Sequence, residues 1–163
     1  MARLTTTLIV AAALAATAGC SPKPKYIPPA PSDHGPVTED KVVPGSRADF
    51  ERSVTSNTIH FAYDKYDIDP EARAILDSQA AWLAHWPNVP VSLEGHCDER
   101  GTREYNLALG DRRANAAKNY LASRGINPAR ISTISYGKER PIALGSDEAS
   151  WAQNRRAVTI VLN

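Results

Sequence analysis

Seven of the chain's twelve prolines crowd into residues 21–46: Pro22, Pro24, Pro28, Pro29, Pro31, Pro36 and Pro44. Large aliphatic side chains are scarce in that stretch. Such a segment cannot bury enough apolar surface to offset the entropy of ordering it. It is expected to be a semi-extended linker with polyproline II character, reaching at most about 80 Å at roughly 3.1 Å per residue. The same run also suits a ligand for a groove. In either case the folded part is confined to residues 47–163, a length that allows one ordinary domain. With 42% apolar residues in the whole chain, wholesale disorder is not expected.

The start of the chain reads as an address. Met1 to Arg3 is short and basic, Leu8 to Ala18 is an uninterrupted weakly apolar run, and small residues lead to Gly19-Cys20. That order is a secretory signal. No apolar stretch reaches the roughly 20 residues a membrane-spanning helix needs, so a cleaved peptide is the reading. Ala18-Gly19-Cys20 resembles the bacterial lipoprotein box, in which the cysteine becomes the acylated first residue. Thr17 stands where that box usually has an aliphatic residue. An ordinary signal peptide with an isolated cysteine is the alternative; the tether that follows favours the lipid. Each buried lipid CH₂ contributes about 0.8 kcal/mol, so several acyl chains anchor permanently. Cleavage before Cys20 removes only Arg3 among the charges and leaves 18 basic and 18 acidic side chains. That balance argues against a nucleic-acid binder, which normally carries a basic excess. Cys97 is then the only other cysteine, so no disulfide forms within the acylated chain.

Beyond Ser46 the pattern predicts alternating elements. Asn57–Ala62 reads as a strand. Asp69-Pro70-Glu71 opens a helix with an N-cap acid, a proline at the first position and an acid near the positive dipole end. Ala72, Ile75, Leu76, Gln79, Ala80 and Leu83 continue it at helical spacing until Pro87. Val89–Glu94 is a strand, Gly95–Glu104 a polar loop, and Tyr105–Arg124 a long helix stopped by Gly125. Asn127-Pro128 opens one short turn. Ile131–Tyr136 and Ala157–Leu162 are strands, with a short helix at Ser146–Gln153. This β-α-β-α-β-(short α)-β order predicts an α/β two-layer sandwich with helices on one sheet face.

The long helix has two adjacent stripes. Leu107, Gly110, Ala114, Ala117 and Leu121 should pack on the sheet. Asn106, Leu109 and Arg113 should face the preceding loop, which holds Asp98 and Arg100. An acid and a guanidinium on one cleft can hold a zwitterion, carboxylate to the arginine fork and ammonium to the aspartate. They can equally pair with each other and fix the loop.

The run Gly95-His-Cys-Asp-Glu-Arg-Gly-Thr102, followed by Tyr105-Asn106, Leu109-Gly110 and Arg113-Ala114, resembles the signature of OmpA-like peptidoglycan-binding domains. Within them it is most similar to the lipoprotein branch of the Tol–Pal system. Phe61-Ala-Tyr-Asp-Lys-Tyr-Asp-Ile68, Ser135-Tyr-Gly-Lys-Glu-Arg-Pro141 and Asn154-Arg-Arg-Ala-Val158 match that branch too, so the resemblance covers about residues 57–162. It implies an α+β fold, β-α-β-α-β-β, with a mixed four-stranded sheet. It also implies non-covalent binding of the meso-diaminopimelate in the peptide stem of peptidoglycan. By position, Asp98 faces the ammonium and Arg113 forks to a carboxylate. Asp64, with Tyr63 beside it, helps from the loop after the first strand, and Arg100, Thr102, Asn106 and Leu109 line the rest. Asn106 also suits a role as stabiliser of the helix start, and Arg155 or Arg156 either joins the pocket edge or flanks an edge strand. Cys97 stands where the family usually has Ala or Thr, and Gly110 where the broader family often has Ser. The implied partners are peptidoglycan, the outer membrane through the lipid on Cys20, and the periplasmic propeller protein of the Tol system, in envelope integrity and cell division. Ser21 lacks the aspartate often linked to inner-membrane retention, which favours the outer membrane.

Other chemistries are less well supported. His96-Cys97-Asp98-Glu99 has no second ligand cluster at zinc spacing, and neighbours in an extended segment point to opposite sides. His60 and His85 are isolated. No GxSxG and no phosphate loop are present. No metal, cofactor or catalytic residue is therefore expected, and a cell-wall hydrolase is the weaker class. Trp82, Trp86 and Trp151 either cover a core edge or mark a partner surface. A protein-interaction module for which wall binding is secondary is the main alternative.

Overall fold

The computed structural model describes residues 42–162, all within one compact unit spanning 39–163. The expected signal peptide, the expected lipid site Cys20 and residues 21–41 of the expected tether lie outside the described residues. The elements are α1 (Arg47–Ser53), β1 (Thr58–His60), α2 (Pro70–His85), β2 (Val91–His96), α3 (Arg103–Ser123), a 3-10 turn (Pro128–Arg130), β3 (Ile131–Gly137), α4 (Glu148–Asn154) and β4 (Arg156–Val161). One four-stranded sheet has the order β1-β4-β2-β3. β2 and β3 run parallel, joined through α3, and β4 is antiparallel to both β1 and β2. The sheet is mixed and the fold α+β, as the resemblance implies.

Alternation within the strands sets the two faces. Val91 and Leu93 of β2, Ile131 of β3 and Ala157 and Val161 of β4 are buried in one core with Leu76 and Leu83 of α2 and Ala114, Ala117 and Leu121 of α3. Thr159 of β4 donates to Gln79 of α2 at 2.7 Å inside that layer. The other face carries Thr58, His60, Glu94, His96, Tyr136, Arg156 and Val158, pointing away from α2 and α3.

Helix α3 sits very close to the sheet. A Cβ placed on Gly95 would lie 1.8 Å from the Gly110 carbonyl oxygen, and one on Gly110 2.3 Å from Ser135 Oγ. The two facing glycines set the distance at which α3 crosses β2 and β3, and so the depth of the loop before the helix. At the far end Gly125 takes φ +91° and lets the chain turn out of the helix.

Three expectations are corrected. Helix α1 was not expected, yet Ser46 caps it by accepting from the Asp49 N–H at 3.2 Å, and Phe50 is fully buried. Strand β2 starts two residues later than expected, beyond Pro90, which has no N–H to give a ladder. It then continues through Gly95 and His96, where the polar, glycine-bearing sequence predicts a loop. Helix α3 begins at Arg103, because Thr102 rather than Glu104 supplies the cap. Trp82 is core: it is 7% exposed, meets Phe50 edge-on at 5.0 Å and donates from Nε1 to Asp49 at 3.1 Å. Trp86 packs beside it, partly buried.

Candidate functional site

Three segments meet at one end of the sheet. The β1–α2 loop brings Tyr63 and Asp64. The β2–α3 loop brings Cys97, Asp98, Arg100 and Gly101, and the first turns of α3 bring Tyr105, Asn106, Leu109 and Arg113. Together they enclose a pocket of about 130 Å³. Seven of the eight expected binding residues line it. The eighth, Thr102, is exposed and acts as the cap of α3, its Oγ1 accepting from the Tyr105 N–H at 3.2 Å.

Asp98 is 4% exposed. Its Oδ1 accepts from the Arg100 backbone N–H at 3.1 Å and from Arg100 Nε at 3.2 Å. Its Oδ2 accepts from Arg100 Nη2 at 2.6 Å and from Arg155 Nη1 at 3.5 Å. Burial alone would raise its pKa. Arg100, through side-chain bond, backbone bond and charge, and then Arg155, outweigh that and hold the carboxyl below its ordinary range. Arg100 is itself gripped from both sides, its guanidinium carbon 4.1 Å from the Tyr63 ring centre and 4.0 Å from that of Trp151. Trp151 comes from α4 and donates to Glu99 Oε1 at 3.0 Å, so the short helix holds the loop from outside.

Arg113 neither pairs with Asp98 nor stands as a free fork. It is 1% exposed and donates from Nε to the Lys65 carbonyl at 2.8 Å, from Nη1 to that of His96 at 2.8 Å, and from Nη2 to that of Ala62 at 3.2 Å. It thereby staples the β1–α2 loop to the end of β2. Burial lowers its pKa, but an arginine starts so high that it keeps its charge. Three of its five N–H bonds are used in this way, and the guanidinium still lines the pocket.

Asp64 takes φ +57°, a left-handed conformation that aspartate tolerates better than most residues. Its carboxylate accepts from the Tyr105 hydroxyl. Asn106 is 2% exposed and donates from Nδ2 to the Arg100 and Thr102 carbonyls at 2.8 and 2.9 Å, so it fixes the loop as well as lining the pocket. Cys97 donates its thiol to the Asn106 carbonyl at 3.3 Å, and burial pushes its pKa up to about 11. It is a protonated wall atom rather than a nucleophile.

Two arginines that the sequence left ambiguous separate onto opposite faces. Arg155 joins the site: it is 5% exposed, donates from Nε to the Phe61 carbonyl at 3.0 Å and from Nη2 to Glu148 at 2.6 Å, and backs Asp98. Arg156 faces the other side of the sheet. Neither flanks an edge strand, because β4 runs between β1 and β2. Sequence reasoning missed Tyr105 and Trp151 as site residues. Tyr105 had a signal, lying one turn before Leu109 on the pocket side of α3; Trp151 had none, since its partner Arg100 is distant in the chain. Among the described residues no three His, Cys, Asp or Glu side chains gather as a metal site. The pocket alternates carboxylates with guanidiniums and can hold a small zwitterion.

Residues 60–155 match the OmpA family. The chain is 50% identical over 146 residues to the peptidoglycan-associated lipoprotein of Rhizobium meliloti, covering 90% of this chain and 81% of that one. It is 54% identical over 102 residues to the peptidoglycan-associated lipoprotein of Haemophilus influenzae, covering 63% and 67%. The crystal structure of the peptidoglycan-associated lipoprotein from Burkholderia pseudomallei superposes with a TM-score of 0.64 at 43% identity, covering 66% of this chain and 91% of that one. The C-terminal domain of Helicobacter pylori MotB shares the fold, with a TM-score of 0.59 at 22% identity, covering 66% and 84%.

Proposed function

The chain belongs to the OmpA family, among relatives that are peptidoglycan-associated lipoproteins, and we propose that its domain grips the meso-diaminopimelate of the peptidoglycan stem in the pocket beside Asp98. It is a binding domain, not an enzyme. The observation that carries the proposal is the mixed charge of a small pocket: Asp64 and Asp98 share about 130 Å³ with the guanidiniums of Arg100 and Arg113. Diaminopimelate presents a terminal ammonium and carboxylate on one carbon, which such a pocket can answer together. The carboxylate goes to Arg100 and to the N–H bonds Arg113 has not spent on carbonyls. The ammonium goes to Asp64, with Asp98 serving first as the anchor of Arg100. A lysine stem keeps the ammonium and lacks the carboxylate. Losing one charge-assisted hydrogen bond of about 1.5–3 kcal/mol weakens binding by roughly 10- to 100-fold.

Two or three such bonds contribute about 3–9 kcal/mol before the cost of ordering, which places an isolated stem between millimolar and micromolar affinity. The wall offers many stems and the tether holds the domain near them, so effective concentration supplies the rest. The larger role follows: residues 1–20 as a lipoprotein signal, a lipid on Cys20 in the outer membrane, residues 21–46 as a periplasmic tether and residues 47–163 as the wall grip. The Tol system's propeller protein is the second partner, in envelope integrity and division. If both partners use the loop after β2 they compete; a Glu99→Lys chain that binds both as before counts against a shared surface.

The test is calorimetry of the full chain with a diaminopimelate stem peptide, a lysine stem and the Asp64→Asn variant in parallel. Saturable binding, micromolar or weaker, that needs the extra carboxylate and falls at least tenfold in the variant supports the proposal. A folded chain that binds neither stem moves the function to protein interaction.

A further inference from the structure

The sheet face turned away from α2 and α3 carries a second constellation. His60 of β1 lies opposite Arg156 of β4, His96 of β2 lines the same groove, and Arg140 lies over the Tyr136 ring of β3 at 3.6 Å. These side chains line a groove of about 570 Å³, with Glu94 as its carboxylate and Ile142 and Val158 on its apolar side. Its volume and lining are separate from the pocket beside Asp98.

His96 is what singles the groove out. It is 2% exposed, and neither ring nitrogen has a hydrogen-bond partner. Glu94 Oε2, its nearest acid, stands 3.7 Å from Nε2, beyond hydrogen-bond reach. Burial first, then the charges of Arg156 and Arg140, hold the imidazole pKa at about 4, so at neutral pH it offers one N–H donor and one lone pair. Buried polar atoms without partners are rare, and each asks for a ligand or a water. Arg156, 5% exposed, makes only long bonds, to the Asn154 carbonyl at 3.4 Å and the Arg140 carbonyl at 3.2 Å. Two guanidiniums face one carboxylate, so the groove keeps a positive excess beside an apolar wall, with Ile142 60% exposed.

We propose that this groove binds a peptide carboxylate carried next to an aliphatic side chain, with the acid between His96, Arg156 and Arg140 and the aliphatic group on Ile142 and Val158. The charge excess selects the anion, the unpartnered imidazole supplies a waiting donor, and the apolar wall distinguishes a peptide from a bare acid. The inference does not rest on the wall-binding reading, since no residue it uses lines that pocket.

The probes are N-acetyl-leucine, N-acetyl-leucinamide, acetate and inorganic phosphate, titrated into the full chain in detergent while the His96 ring signals are followed by NMR. N-acetyl-leucine should shift those signals saturably in the millimolar range, with the amide and acetate at least tenfold weaker. Arg140→Gln, on an exposed side chain, should weaken N-acetyl-leucine at least fivefold, and Arg47→Gln, an exposed charge on α1 outside the groove lining, should leave it unchanged. Equal shifts from acid and amide, acetate as tight as N-acetyl-leucine, or phosphate tighter than either would each overturn the proposal. So would an Arg140→Gln chain that binds as before, or His96 signals that no probe moves.

Discussion

Asp98→Asn separates the electrostatic account of the site from a purely steric one, because the amide keeps the shape and removes the charge. Asp98 accepts four hydrogen bonds from two arginines at 4% exposure. An asparagine turns an NH₂ toward guanidinium donors and leaves them without a counter-charge. Breaking a buried ion pair costs about 3–5 kcal/mol. Two features reduce that here. Arg155 keeps Glu148 at 2.6 Å, although that side chain is 66% exposed, and Arg100 is 30% exposed and still stacked between two rings. The expected loss is therefore about 2–3 kcal/mol, or roughly 8–12 °C in Tm for a domain of this size. The pH dependence gives the sharper signature. The folded carboxyl titrates below its unfolded value of 3.8. Its stabilisation is therefore complete above that value and drains away as pH falls through the folded pKa. Asp49 is also lowered and adds to the acid sensitivity equally in both proteins, whereas Glu99, also lowered, feels the Asp98 charge raising it and is lowered further in the variant. The gap in Tm between wild type and Asp98→Asn should hold from pH 7 to about 5 and narrow towards pH 3. Near-ultraviolet circular dichroism across that series measures it. A gap that persists unchanged to pH 3, or none at pH 7, would refute the claim that the Asp98 charge orders the loop.

Arg130→Ala should destabilise the chain by about 2–4 kcal/mol without changing the stem-peptide Kd, as read by urea unfolding and calorimetry. Arg130 donates to the carbonyls of Leu83, Trp86, Pro87 and Val89 and so closes the open end of α2 far from the pocket. Cys97 should resist a thiol-labelling reagent at pH 8 in the native chain and react at least a hundredfold faster in urea; rapid native labelling contradicts a thiol held near 11. Gly95→Ala drives a Cβ into the Gly110 carbonyl at 1.8 Å, and overpacking against backbone should cost more than about 3 kcal/mol in the urea midpoint.

The sequence carried the site better than it carried the contacts inside it, and the reason is physical. Helix spacing puts Asn106, Leu109 and Arg113 on one side of α3 whatever else happens. The neighbouring stripe fixes which side meets the sheet, so those pocket walls were legible at once. The boundary of β2 was not, because Gly95 and His96 look like loop residues until Gly110 is seen to need a bare backbone opposite it. Helix α1 was signalled by Ser46 and Asp49, but its burial depends on Trp82, 33 residues further along from Asp49. The pairing of charges was least legible. Residue types offered Asp98 and Arg113 as partners. Yet a guanidinium reaching the end of a strand finds the backbone carbonyls of Ala62, Lys65 and His96, and neutral acceptors held in place by the fold can claim it before an aspartate does. That leaves Asp98 to Arg100 and Arg155, one local in sequence and one from the far end of the chain. Arg113 thus holds the pocket open from behind while Asp98 aims Arg100 into it. A variant at Arg113 should therefore lose the loop before it loses the ligand, whereas one at Asp64 should lose the ligand alone.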